Sequence, residues 1–132
     1  MKLSHKFVKH VPEKLEDGVV YISMEYSMVI HKCCCGCGKE VVTPLSPTGW
    51  KLIFNGKTIS LYPSIGNWSF ECQSHYWITD SKVEWAHRWT KRQIESGRKK
   101  ELNRKTYCKK RGWESLFTFF KKCFQSESFL WT

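Results

Sequence analysis

Cys33, Cys34, Cys35 and Cys37 fill four of five consecutive positions, His31 lies two residues upstream, and Cys72 and His75 follow at a two-residue gap. Thiolates and imidazoles at this density are the donor set of a tetrahedral zinc site. Glycine follows two of these cysteines, in Cys35-Gly36-Cys37-Gly38, where it lets the backbone bend and aim its amides at sulfur. In an extended segment neighbouring side chains point to opposite faces, so Cys33, Cys35 and Cys37 converge while Cys34 points away. Cys72 completes four ligands, with His75 as ligand or near neighbour and His31 as a polar neighbour. Cys108 and Cys123 read as ordinary thiols.

If cysteines fill the metal shell, the histidines are released for other work. A serine hydroxyl becomes a nucleophile when a nearby base takes its proton. Ser64, between Pro63 and Ile65-Gly66, reads as a loop-borne candidate, with His75 as its base and His31 as an accessory. Ser60 and Ser74 are further candidates, and a serine after proline also commonly caps a turn. A zinc hydrolase would need an open coordination position and a base such as Glu40 or Glu71, but a thiolate-rich shell blunts the metal's Lewis acidity. A cysteine nucleophile, such as the spare Cys34, would compete with zinc for the same thiolates.

Composition narrows the class. The chain has 132 residues, 15% of them aromatic, enough for one core and too few for two. No run approaches the roughly 18–20 apolar residues of a membrane span. The first residues lack the apolar stretch of a secretory signal, so the expected location is the cytoplasm, where clustered cysteines bind metal rather than form disulfides. Residues 1–85 carry nine Lys/Arg and eight Asp/Glu; residues 86–132 carry thirteen and four. The basic character therefore belongs to the last third, which favours acidic partners such as nucleic acid or an acidic protein face.

The elements that must position these groups are mostly short strands. Phe7-Val8, Val19–Ile22, Met28–Ile30 and Glu40–Thr43 are β-rich runs punctuated by Pro12, Asp17-Gly18 and Pro44. Asn55-Gly56 between Trp50–Phe54 and Lys57–Leu61 is a strong hairpin signal, since both turn residues tolerate positive φ. Residues 62–67 read as a loop and Tyr76–Ile78 as a strand. Near residue 82 the period becomes helical and runs to Gly97; Trp113, Leu116, Phe117, Phe120 and Phe124 form a second helical stripe. The expected fold is mainly β (α+β overall): a small antiparallel zinc-binding β domain over residues 1–85, then a basic helical extension over 86–132.

Three motifs occur in order at fitting gaps: residues 31–45 (His-Lys-Cys-Cys-Cys-Gly-Cys-Gly-Lys-Glu-Val-Val-Thr-Pro-Leu), 60–68 (Ser-Leu-Tyr-Pro-Ser-Ile-Gly-Asn-Trp) and 72–78 (Cys-Gln-Ser-His-Tyr-Trp-Ile). Over roughly residues 10–86 the chain resembles a bacterial family of small metal-binding domains encoded beside ubiquitin-like proteins, a ThiF-type activating enzyme and a conjugating-enzyme-like protein. The resemblance implies a peptidase that trims or removes the ubiquitin-like modifier. His31, Cys33, Cys35, Cys37, Ser60, Pro63, Ser64, Cys72, Ser74 and His75 match the family pattern; Cys34 departs from it, a small residue or proline being usual there. Two functions follow. One is a zinc-binding, peptidase-like accessory of ubiquitin-like conjugation, partnered by the modifier and its enzymes, with Ser64, His75 and His31 at the reacting centre. The other is a non-catalytic zinc-stapled module whose basic tail binds nucleic acid or the conjugation proteins.

Overall fold

The computed structural model describes residues 1–110. The expected Trp113–Phe124 stripe and Cys123 lie outside the described residues. Contacts divide the chain into two units, Met1–Arg88 and Trp89–Thr132. The first unit is mainly β, as the sequence patterns indicate. It holds β1 (Ser4–Phe7), β2 (Val19–Ser23), β3 (Met28–Lys32), β4 (Glu40–Pro44), β5 (Lys51–Phe54), β6 (Ile59–Gly66), β7 (His75–Thr79) and β8 (Lys82–Trp85).

The strands form two four-stranded sheets, β1-β2-β3-β4 and β5-β6-β7-β8. Every pair is antiparallel except β1–β2, which is parallel, a departure from a purely antiparallel domain. Alternation decides the inner faces. In β4, Val41 and Thr43 are buried while Glu40, Val42 and Pro44 are exposed. Val20, Ile22, Val29 and Val41 of one sheet share a core with Ile59, Leu61, Ile65, Tyr76 and Ile78 of the other. Burying these side chains is the main source of stability.

The β5–β6 hairpin closes around Asn55-Gly56, but Gly56 alone there has a left-handed φ, of 94°. Asn55 acts through its side chain instead: Oδ1 accepts the backbone N–H groups of Lys57 and Thr58 at 2.9 and 2.7 Å. Residues 62–66 are not the expected loop. They continue β6, and the register against β7 shifts between Leu61 and Ile65, leaving Tyr62, Pro63 and Ser64 opposite Trp77 alone. Pro63 has no N–H for the ladder, and a bulge absorbs it.

The helical period expected from residue 82 is also corrected. Lys82–Trp85 is β8, paired in register with Tyr76–Thr79. In the second unit the helix α1 runs Lys91–Lys110, with Gly97 inside it. It starts at a capping box, Gln93 N–H donating to Thr90 Oγ1 and Thr90 N–H to Gln93 Oε1. A methyl group at Gly97 would stand 2.8 Å from the Trp89 ring, so glycine there makes room for an indole. Cys108 is disulfide-bonded rather than an ordinary thiol. Among the described residues no helix is long and apolar enough to cross a membrane.

Candidate active site and thiol knot

Two loops bring the cysteines together. One joins β3 to β4 and is closed by Cys33 N–H donating to the Lys39 carbonyl at 2.8 Å. Within it Gly36 and Gly38 take φ of 88° and 80°, backbone that L side chains rarely adopt. The other joins β6 to β7 and is closed by Asn67 N–H donating to the Ser74 carbonyl at 2.8 Å. The Sγ atoms of Cys33, Cys35, Cys37 and Cys72 all lie within 4.8 Å of one another. Cys33 Sγ is 3.4 Å from Cys35 Sγ and 3.8 Å from Cys72 Sγ. A tetrahedral thiolate shell with metal–sulfur bonds near 2.3 Å has sulfur–sulfur edges of ~3.8 Å. The four side chains therefore fit a four-coordinate metal ion. The convergence comes from a tight turn, with Cys37 N–H donating to Cys35 Sγ at 3.3 Å, and not from the alternation of an extended strand.

The surroundings pull the thiols apart in acidity. Burial raises Cys72, but hydrogen bonds from Ser74, Cys35 and Cys33 outweigh it and leave the thiol at about 6. Burial pushes Cys34 up to about 11. Cys34 is buried outside the knot, beside Tyr76, and is an unreactive thiol.

The paired strands β6 and β7 carry the second constellation. Gly66 and His75 are directly paired across β6 and β7. Ser64, two residues earlier in β6, is a diagonal neighbour of His75 on the same face. Its Oγ lies 2.8 Å from His75 Nε2. His75 Nδ1 lies 2.7 Å from the backbone carbonyl of His87. A carbonyl can only accept, so Nδ1 carries the proton, and in the neutral ring Nε2 is left to accept the Ser64 hydroxyl. The β7–β8 hairpin sets up this contact: Ala86 N–H donates to the His75 carbonyl at 2.9 Å and carries the next residue's carbonyl over the ring. Trp68 packs against His75 with ring centroids 5.0 Å apart.

The other candidates fall elsewhere. His31 does not join Ser64 and His75. It is 1% exposed, its Nε2 meets Tyr76 Oη at 2.7 Å, and its Nδ1 is buried without a hydrogen-bond partner. Burial holds the imidazole down at about 4, so it stays neutral. Ser60 Oγ accepts the Asp80 backbone N–H at 2.9 Å and holds a turn. Ser74 Oγ sits 3.0 Å from Cys33 Sγ, facing the knot. Thus Ser64, His75 and the knot sit on three neighbouring segments, while His31 and Ser60 serve the core and a turn.

Sequence reasoning missed the His87 carbonyl, because a backbone acceptor leaves no trace in residue type. It also missed Asn67, although that residue stands within the Ser-Ile-Gly-Asn-Trp motif. The sequence of residues 7–86 matches the family described as bacterial ubiquitination-like system serine protease (BubE). No curated protein and no solved structure matches the chain.

Proposed function

Since the chain belongs to the bacterial ubiquitination-like system serine protease (BubE) family, we propose that it is a peptidase that processes or removes the ubiquitin-like modifier, with Ser64 as nucleophile and His75 as general base. The observation that carries this reading is the 2.8 Å approach of Ser64 Oγ to a His75 ring whose other nitrogen is tied to the His87 carbonyl. Ser64 Oγ attacks the carbonyl carbon of the modifier's last residue while His75 Nε2 takes the hydroxyl proton. The tetrahedral adduct collapses, the carbon–nitrogen bond breaks, and the leaving amine takes the proton from Nε2. Water then attacks the acyl-serine ester, gives its proton to His75, and Ser64 leaves as the hydroxyl. The His87 carbonyl dipole holds the ring in the required tautomer and favours the imidazolium formed in each step.

Cys33, Cys35, Cys37 and Cys72 would hold Zn²⁺, and four thiolates leave it no open position. Such an ion supplies structural cross-linking between the two loops. His31 takes no direct part in this reading. The catalytic zinc domain takes in residues 1–88, because the His87 carbonyl belongs to the site, and the basic extension follows it. The partners are the modifier and its activating and conjugating enzymes, and the compartment is the cytoplasm.

Ser64 lies in the part of β6 beyond Tyr62, where the β5 pairing ends. Among the described residues no strand pairs with that stretch on the β5 side, and an extended substrate tail would add there as a further strand.

The test is incubation with a modifier bearing a C-terminal extension, read by mass. Wild type should release the extension and Ser64→Ala should not; identical uncut spectra would refute the enzyme. The alternative, a binding module, draws on the nine Lys/Arg of α1 against two Glu. It requires salt-sensitive retention on nucleic acid or on the conjugation proteins that survives Ser64→Ala and is lost on truncation after residue 86.

A further inference from the structure

One buried amide and one hydroxyl meet the thiol knot from positions next to the reacting pair in sequence. Asn67 and Ser74 are both 8% exposed. Besides the backbone bond between them, Asn67 Nδ2–H donates to Ser74 Oγ at 2.9 Å. Ser74 Oγ in turn lies 3.0 Å from Cys33 Sγ and 3.5 Å from Cys72 Sγ.

When the knot holds a metal its sulfurs are thiolates, which only accept. The direction of the chain is then fixed. The Asn67 amide donates to the Ser74 oxygen, and the Ser74 hydroxyl donates to a thiolate. The two ends of this short chain lie close to the reacting pair in sequence. Asn67 is three residues after Ser64, and Ser74 immediately precedes His75. From adjacent positions Ser74 meets the knot and His75 meets Ser64. The loop closed by Asn67 and Ser74 also contains Cys72, so releasing Cys72 loosens both ends of the catalytic pair together.

We propose that Asn67 and Ser74 are positioning residues that transmit the state of the thiol knot to His75, so that the knot governs the reactivity of Ser64 without meeting the substrate. This rests on the reading of Ser64 and His75 given above. Second-shell hydrogen bonds of this kind typically matter by about 10–100-fold, and a shift of about 1 Å in a reacting group can cost about 100-fold.

The experiment uses the full chain purified with its metal and a fluorophosphonate probe, in which Ser64 Oγ bonds to phosphorus and fluoride leaves. Three quantities are read: the labelling rate of Ser64, metal per chain by elemental analysis, and the NMR resonance of the His75 Nδ1–H held by the His87 carbonyl. Asn67→Ala should keep its metal, label roughly 10–100-fold more slowly, and shift or lose that resonance. A metal-loaded, folded Asn67→Ala with wild-type rate and resonance overturns the proposal. Should Asn67→Ala fail to fold, Ser74→Thr and Ser74→Val decide, because they share a shape and differ in the hydroxyl. Thr should label near the wild-type rate and Val roughly 10–100-fold more slowly; equal rates overturn the proposal. Absence of any Ser64 labelling in the wild type is a distinct result, which removes the protease reading itself.

Discussion

Gly66 stands directly opposite His75 in the β6–β7 ladder, and a methyl group on it would come within 2.5 Å of the Trp68 indole. Trp68 is the ring that packs against His75. Glycine here serves close approach, since its φ is not in the left-handed region. Gly66→Ala must push Trp68 away or spread the strands. Overpacking of this kind costs about 1–3 kcal/mol, and the displaced indole frees the His75 ring. The expected outcome is a lowered denaturation midpoint together with slower Ser64 labelling, whereas Ser64→Ala removes labelling with little change in midpoint. Gly66→Ala behaving as wild type in both assays would show that the indole does not constrain the base.

The orienting group of His75 is a backbone carbonyl, so the identity of the residue that carries it should matter little. The His87 side chain is exposed. His87→Ala keeps the carbonyl and should leave the cleavage rate within about threefold of wild type, as expected of a surface substitution that touches no buried group. His75→Ala should lower it by about 10³-fold or more, as loss of a general base does. A loss at His87→Ala comparable to that at His75→Ala would mean that the side chain, not the carbonyl, does the work.

The converging cysteines are legible because their density and their glycines have few other uses. Their convergence was right in outcome but arises from a turn whose glycines adopt positive φ. The strands follow from β-rich runs and breakers and the hairpin from Asn55-Gly56, but the division into two four-stranded sheets leaves no mark in the pattern. Ser64 was harder to place. Pro63 reads as a loop signal, and only the pairing of Ile65 and Gly66 with β7 reveals a bulged strand. Lys82–Trp85 imitates a helix start because Val83, Ala86 and Trp89 fall at helical spacing, yet the β7 edge is available and tertiary pairing wins. Gly97 looked like a break, since a sequence cannot show the Trp89 ring that occupies the space beside it. His31 matched a family position and stood near cysteines, but strand alternation turns it into the core, where its partner Tyr76 is 45 residues away.

The metal should carry part of the fold and none of the bond-breaking. Stripping it with a chelator leaves four thiols crowded between two loops, with the 67–74 loop no longer pinned. A loss of ~3 kcal/mol would lower the melting temperature of this small domain by roughly 10–20 °C. Elemental analysis should find one metal per chain in wild type, and Cys72→Ser should lose it readily. Cys34→Ser should retain it, since Cys34 lies outside the knot. Metal content that falls equally in Cys34→Ser and Cys72→Ser would dismiss this ligand set.

His31 predicts a specific acid sensitivity. Burial lowers its pKa from 6.5 to about 4, so the folded protein resists protonating the ring while the unfolded chain accepts the proton. Between about pH 6.5 and 4 the unfolded state therefore binds more protons, and stability falls as pH falls through that window. Above 6.5 the ring is neutral in both states and pH has no effect through it; below 4 it is charged in both and the loss is complete. A depression of this size corresponds to a loss on the order of 3 kcal/mol. The direct measurement is the NMR titration of the His31 ring, whose midpoint should lie far below those of exposed histidines. Tyr76→Phe should make matters worse at every pH. It leaves both His31 nitrogens unpaired in the core, at a cost of about 1–3 kcal/mol in chemical denaturation. A His31 midpoint near 6.5 in the folded protein would mean that the ring is not held in the dry core between the sheets.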